Sequence, residues 1–442
     1  MDLAKLKQIE EILDEVLEIP NTERRAWLHK SCPVELREEI ESLMIFDSDS
    51  ENFLKTPALD KVDLLFGNGN LKDKQIGNYK IVREIGHGGM GVVFLAERAD
   101  ETFQKQVAIK VVKHNFAERE TLRRFQIERQ ILANLEHPHI AQLLDGGATE
   151  ENLPYLVMEY VEGLPLLEFC RHHDLDVKAQ LVLFQKICSA VQYAHQHLVI
   201  HRDLKPSNIL VTNSGEPKLL DFGISKLINT EADATQTQTD FRAFTPDYAS
   251  PEQIRGDRVS TATDIYSLGV ILYELLTDAR PFKSDSKNIG EIAQAICENE
   301  PTKPSDVATR QHGNTAEDQI RPTKTQKSKT EEKKEIRKTQ IAKRKSLKGD
   351  LDNIILTALR KEPNRRYASV KDFSEDIGNY LNGMPVKARP NTFFYRSEKF
   401  IKRNRAASVV ATLLVLSLIG GIITTAWQAR IARQERDRTE KS

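Results

Sequence analysis

Cysteine is scarce in this chain: the four present, Cys32, Cys170, Cys188 and Cys297, are scattered without one Cys-x-x-Cys pair. That argues against a disulfide framework or a cysteine zinc site and leaves buried thiols in a reducing compartment. No apolar leader opens the sequence, because Met1 runs into charged, helix-patterned residues, so no secretory signal peptide is expected. Net charge is missing too. With 64 Lys and Arg against 65 Asp and Glu, the formal charge is −1, and no overall field favours nucleic acid. What remains, 29% charged and 39% hydrophobic residues over 442 positions, is the balance of a globular protein of two or three domains.

The most informative stretch is 199–223, VIHRDLKPSNILVTNSGEPKLLDFG. His201-Arg202-Asp203 opens a loop, Asn208 lies five residues past the aspartate, and Asp221-Phe222-Gly223 follows a turn and a short strand. Lone Asp and Asn residues are usually turn-formers. Here they match a joint chemical need: one carboxylate to accept the proton of an attacking hydroxyl, and a carboxylate plus an amide oxygen to hold Mg2+ on phosphates. Asp203, Asp221 and Asn208 fit these roles in that order.

Upstream, Leu3, Leu6, Ile9, Leu13, Val16 and Leu17 recur at helical spacing, and the pattern continues around Trp27 and from Pro33 to Met44. A small three-helix module over 1–46 is expected, either regulatory or a solubilising extension. Residues 47–78 are polar and turn-rich, which marks a linker. From Tyr79 the runs become strand-like, and Gly86-His87-Gly88-Gly89-Met90-Gly91 sits between two of them. Glycines there let backbone amides approach phosphate oxygens. The same G-x-G-x-x-G could open a dinucleotide fold, but a helix would then follow; here VVFLAER and QVAIKVVK follow, and both read as strands.

Together these motifs resemble the eukaryotic-like, Hanks-type serine/threonine protein kinases, and the C-terminal organisation is similar to that of their bacterial membrane-anchored members. The resemblance covers roughly 79–384. It implies an α+β, bilobal protein kinase fold, with a β-rich small lobe and a helical large lobe. It also implies ATP and Mg2+, with Gly86, Gly88, Gly91, Val93, Ala108, Glu159, Val161 and Leu210 around the nucleotide and Met158 at the back of its pocket. Lys110 of the VAIK run would hold the α- and β-phosphates. Glu128, before His137-Pro138, would be its ion-pair partner, with Glu118, Glu120 and Glu136 as alternatives. Asp203 would be the base, Lys205 the cation beside the transferring phosphate, and Asn208 and Asp221 the metal ligands. Asp264 would brace the catalytic-loop backbone and Arg366 would pair with Glu252. Ser250 stands where the family usually has alanine, a nearly isosteric change. In the long helix expected over 176–197, His195 and His197 read as packing or surface residues.

Arg202 beside Asp203 implies regulation: the cation calls for a phosphothreonine in the segment after Gly223. Thr237 and Thr239 are the candidates. Thr245 would instead hydrogen-bond Asp203 and Lys205, as the family's equivalent threonine does.

Residues 301–348 form an insertion rich in Lys, Thr, Glu and Gln that cannot bury enough apolar surface to order itself. Its interleaved glutamates and missing aromatics argue against a nucleic-acid patch. Residues 406–427, AASVVATLLVLSLIGGIITTAW, carry no charge over 22 positions, the length of a transmembrane helix. The preceding 385–405 is a basic juxtamembrane segment with seven Lys or Arg against one Glu, while the tail 428–442 has five against three acids. The positive-inside rule then puts the kinase domain in the cytoplasm, on a single-pass anchor in the cell membrane.

The sequence therefore leads to an ATP-dependent kinase acting on protein Ser and Thr hydroxyls, with a homodimer as the route to trans-autophosphorylation. A catalytically weak membrane scaffold is the rival class, opposed by the complete set Lys110, Asp203, Asn208 and Asp221. A small-molecule phosphotransferase is opposed by the long segment ending in TPDYASPE, a peptide-docking feature.

Overall fold

A computed structural model describes residues 12, 27–28, 32–33, 74–88, 91–99, 105–112, 129–130, 132–149, 153–222, 246–282, 289–307, 345–390 and 392–439. Most of the expected N-terminal module, most of the linker and most of the 301–348 insertion lie outside them.

The N-terminal half of the described chain is a six-stranded antiparallel sheet of order β1-β2-β3-β4-β6-β5. Its strands are β1 (Gln75–Ile76), β2 (Tyr79–Gly88), β3 (Gly91–Arg98), β4 (Gln106–Val112), β5 (Leu143–Ala148) and β6 (Pro154–Glu159). β1 falls inside the stretch read as linker and extends the sheet's edge. Strand alternation assigns the faces. Val92, Phe94 and Ala96 of β3 join Val107, Ile109 and Val111 of β4 in one buried cluster with Ile81, Tyr155 and Val157. Each fully buried Phe or Ile contributes about 1.5–3 kcal/mol. By the same alternation Val93, Leu95, Ala108 and Lys110 take the other face, and the register pairs Val93 with Lys110 and Leu95 with Ala108. One face of the sheet is core, and the other presents a lysine.

The C-terminal half is helical. After β7 (Gly163–Pro165) come α1 (Leu166–His172) and α2 (Val177–Gln196), the latter capped by Asp176, whose carboxylate accepts from Ala179 N at 2.7 Å. A small antiparallel sheet, β7-β8-β9, adds β8 (Ile209–Thr212) and β9 (Pro217–Leu219). Then follow α3 (Pro251–Arg255), α4 (Thr261–Thr277), α5 (Ile289–Glu298), α6 (Pro304–Val307), α7 (Asp350–Ala358) and α8 (Val370–Leu381). Nearly every residue of α4 is buried, including Ile265, Leu268, Ile271, Leu272 and Leu275, as an all-round apolar helix at the centre of a lobe must be.

Two helices complete the chain: α9 (Phe393–Arg403) and α10 (Arg405–Thr439). Within α10, Ser408–Ile431 is 24 residues long, apolar and unburied. At about 1.5 Å per residue it exceeds the ~30 Å of a bilayer's hydrocarbon core.

Candidate active site

The loop between α2 and β8 is built around a backbone that an ordinary residue adopts only at a cost. Arg202 has φ +64, in the left-handed region, a strain of about 1–3 kcal/mol for a residue with a side chain. Hydrogen bonds on both sides hold it there. The fully buried Asp264 of α4 accepts from His201 N at 2.8 Å and from Arg202 N at 3.0 Å. Gln253 Nε2 of α3 donates to Arg202 O at 2.8 Å. His195 Nε2, from the last turn of α2, donates to the same Asp264 carboxylate at 2.7 Å and fixes its rotamer.

His201 has no exposure, and burial depresses its pKa despite the neighbouring Asp264 and Asp203 carboxylates, so the ring is neutral. Its Nε2–H donates to Leu220 O at 2.9 Å, and its ring lies 4.7 Å from that of Phe222. The loop is thereby tied to the segment that carries Asp221. Asn208 adds a second tie, since its carbonyl accepts from Leu220 N at 2.8 Å.

Three side chains meet on this frame. Asn208 Nδ2 donates to the Asp203 carbonyl at 2.9 Å and to Asp203 Oδ2 at 3.2 Å. Lys205 Nζ lies 2.9 Å from the same Oδ2. With its amide nitrogen engaged, Asn208 has Oδ1 as its remaining ligand atom. Across the cleft, Lys110 of β4 reaches Asp221, Nζ to Oδ1 at 3.0 Å. Asp221 is also left-handed, φ +49. Asn208 Oδ1 and the Asp221 carboxylate are hard oxygen donors suited to a divalent cation such as Mg2+, and they are too few to hold it without phosphate oxygens. The set can therefore accept a proton at Asp203, place cations at Lys205 and Lys110, and bind a metal jointly with a phosphorylated ligand.

Gly91 shows why the hairpin needs glycine: its φ is +153, and a Cβ there would stand 2.2 Å from the Val111 carbonyl oxygen. Gly86 pairs with Val93, and Gly88 ends β2 opposite Gly91. Next to β4, β6 ends at Glu159, whose carboxylate pairs with Lys218 of β9 at 2.8 Å, and Val161 is buried just beyond it. Leu210 pairs with Pro165 across the small sheet.

Away from the cleft, Glu252 and Arg366 form the expected pair, bidentate with both contacts at 2.7 Å and both side chains almost wholly buried. Burial alone would raise the Glu252 pKa, and the Arg366 guanidinium overrides it and holds the carboxyl low.

Asp203, Lys205 and Asn208 thus share one set of contacts, and Lys110 reaches Asp221. Glu128, Gly223, Thr237, Thr239 and Thr245 lie outside the described residues. The sequence reading missed Gln253, which carries no signal beyond the neighbouring Ser-Pro-Glu, and Lys218, which looks like any strand lysine. His195 turns out to be buried and bonded to Asp264.

Residues 79–375 match the family described as protein kinase domain. Serine/threonine-protein kinase PrkC of Bacillus subtilis is 35% identical over 305 residues, 68% of this chain and 40% of the relative. Serine/threonine-protein kinase PknB of Mycobacterium tuberculosis is 34% identical over 315 residues, 70% of this chain and 44% of that protein. The chain thus spans less than half the length of these curated relatives. With the match running from the glycine hairpin past Arg366, the chain belongs to the protein kinase family.

Proposed function

We propose that the chain is a membrane-anchored kinase that transfers the γ-phosphoryl group of ATP to serine and threonine hydroxyls of proteins. The observation that carries this reading is the convergence of Asp203, Lys205 and Asn208 on one strained loop facing Asp221 and Lys110. Asp203 orients the acceptor hydroxyl and takes its proton as oxygen bonds to the γ-phosphorus and the bond to the β–γ bridging oxygen breaks. Lys205 leaves Asp203 for the phosphoryl oxygens, and Lys110 holds the α- and β-phosphates with Glu128 as its second partner. Asp221 and Asn208 would hold Mg2+, which when bound offsets charge on the phosphates. Val93 and Ala108 from above and Leu210 from below enclose the adenine, and the backbone of Glu159 to Val161 reads its edge.

Regulation would act through Arg202: a phosphate on Thr237 or Thr239 would order the segment against it, and Thr245 would hydrogen-bond Asp203 and Lys205. Ser408–Ile431 anchors the chain, and the basic side keeps the kinase domain cytoplasmic.

The test is incubation of the purified full chain with Mg-ATP and a generic protein substrate, followed by phosphosite mapping, with Asp203→Asn in parallel. Label on Ser and Thr of the substrate, absent with Asp203→Asn, is the expected result; no label, or label retained in the variant, overturns the reading. Full activity of Thr237→Ala/Thr239→Ala would refute the regulatory part. Release of the chain by carbonate without detergent would refute the anchor.

A further inference from the structure

α9 presents a division of faces that the kinase reaction does not use. Its inner face is bound to the large lobe. Tyr395, 4% exposed, accepts from Val386 N at 3.1 Å, and Arg389 lies over its ring at 4.5 Å. Lys399 Nζ pairs with Asp350 of α7 at 2.6 Å, and Arg389 reaches the same carboxylate at 3.4 Å. The segment leading into α9 is pinned as well, because the buried Asp376 of α8 accepts from Ala388 N at 2.9 Å. At about 100° per residue, Tyr395 and Lys399 define one side of the helix.

The opposite side is apolar and bare. Phe393 is 81% exposed, Phe394 85%, Phe400 56% and Ile401 52%. With Ser397 between them, these four fill an arc of roughly 120° centred opposite Tyr395 and Lys399. Arg396 and Arg403 border the arc on one side, and Glu398 on the other is paired to Lys402. After Arg403 only Asn404 separates α9 from α10, and its ψ of +53 turns the chain out of helical geometry.

We propose that α9 is an interfacial helix: it lays Phe393, Phe394, Phe400 and Ile401 into an anionic lipid surface and, through Tyr395 and Lys399, holds the large lobe against the membrane. This rests on the membrane-anchored reading. Continuity with α10 selects the occupant, since eleven residues extend only about 16 Å from the point where the chain enters the bilayer. Bulky apolar side chains flanked by arginine are the composition of helices that lie in the headgroup layer. A second copy of the chain fits less well. Four side chains of this size and exposure offer roughly 500 Å², against about 800 Å² per partner in a stable interface.

The experiment uses the full chain in bilayers of phosphatidylglycerol and phosphatidylcholine with brominated acyl chains, which quench tryptophan on contact. The chain has two tryptophans, Trp27 and Trp427. Trp27→Phe leaves Trp427 as reporter of the span. Trp27→Phe/Trp427→Phe/Phe400→Trp reports the stripe, and Trp27→Phe/Trp427→Phe/Val182→Trp, on α2 of the lobe, gives the solvent baseline. The expected result is a loss of emission at position 400 at least half that of Trp427, reduced in pure phosphatidylcholine, with none at position 182. Quenching of Trp427 without quenching at position 400 overturns the inference and leaves the anchor standing. A blue-shifted but unquenched reporter at 400 overturns it in favour of a protein cover. Equal quenching without phosphatidylglycerol overturns the anionic preference, and no quenching at either site overturns anchor and inference together.

Discussion

Asp221 combines a left-handed backbone, a salt bridge to Lys110 and the only carboxylate in the LLDFG run. Asp221→Asn keeps the shape and removes the charge. Transfer to a generic protein substrate should fall by at least ~10²–10³, the usual cost of losing one electrostatic contact aimed at the reacting charges; activity within tenfold of wild type would refute the assignment. Arg366 is the residue-scale counterpart in the core. Arg366→Met strands the Glu252 carboxylate in a buried site, and unfolding of the full chain in micelles should report a loss of about 3–5 kcal/mol. The double variant Glu252→Gln/Arg366→Met should recover part of that loss, and failure to do so would show that guanidinium packing on the Tyr266 ring, 4.9 Å away, dominates. Asp221 is legible from its place in the joint pattern with Asp203 and Asn208, and the Glu252–Arg366 pair from the resemblance to the kinase family. Gln253 and His195 are not: each acts through a backbone group or carboxylate far away in sequence, so local pattern gives no hint of them.

At the scale of elements, α4 and α7 show how close packing hides in a sequence. Gly269 reads as an unremarkable interruption of an apolar run, yet a Cβ there would lie 2.9 Å from Ala358 Cβ and 3.2 Å from Leu359 Cδ2. Gly269→Val should therefore cost about 1–3 kcal/mol by overpacking, with Ala358→Gly partly restoring the denaturation midpoint. A neutral Gly269→Val would mean that the two helices can move apart freely. Strong periodicity makes α2 readable, expected over 176–197 and found at Val177–Gln196. Two elements escaped. β1 spans two residues, too few for alternation to register. α9 reads only as charge, since its aromatic stripe is interrupted by Tyr395, Arg396 and Lys399, which face elsewhere.

At the scale of the molecule, acid sensitivity follows from three histidines that folding keeps neutral. Burial is the leading cause of the depressed pKa at His137, His139 and His201; at His139 it outweighs Glu216, 3.7 Å away, so that contact is no ion pair at neutral pH. Each unfolded histidine titrates near 6.5. Below that pH the unfolded chain binds protons that the folded chain refuses, so stability falls as pH drops from 6.5 towards the depressed folded values. The carboxyls held low among the described residues, Glu252, Glu216, Glu398 and Asp372, start from unfolded values of 4.5 or, for Asp372, 3.8, and lose their contribution only in more acid solution. The interval between 6.5 and about 5 thus isolates the histidines from the carboxyls. The urea midpoint of the full chain in detergent micelles should be level from pH 8 to 7 and should decline between 6.5 and 5.5. His201→Asn should flatten part of that decline while lowering the midpoint throughout, because it loses the hydrogen bond to Leu220 that ties the loop to Asp221. A midpoint unchanged between pH 7 and 5.5 would mean that these rings take up protons alike in the folded and unfolded chains, and would refute their being held neutral by burial.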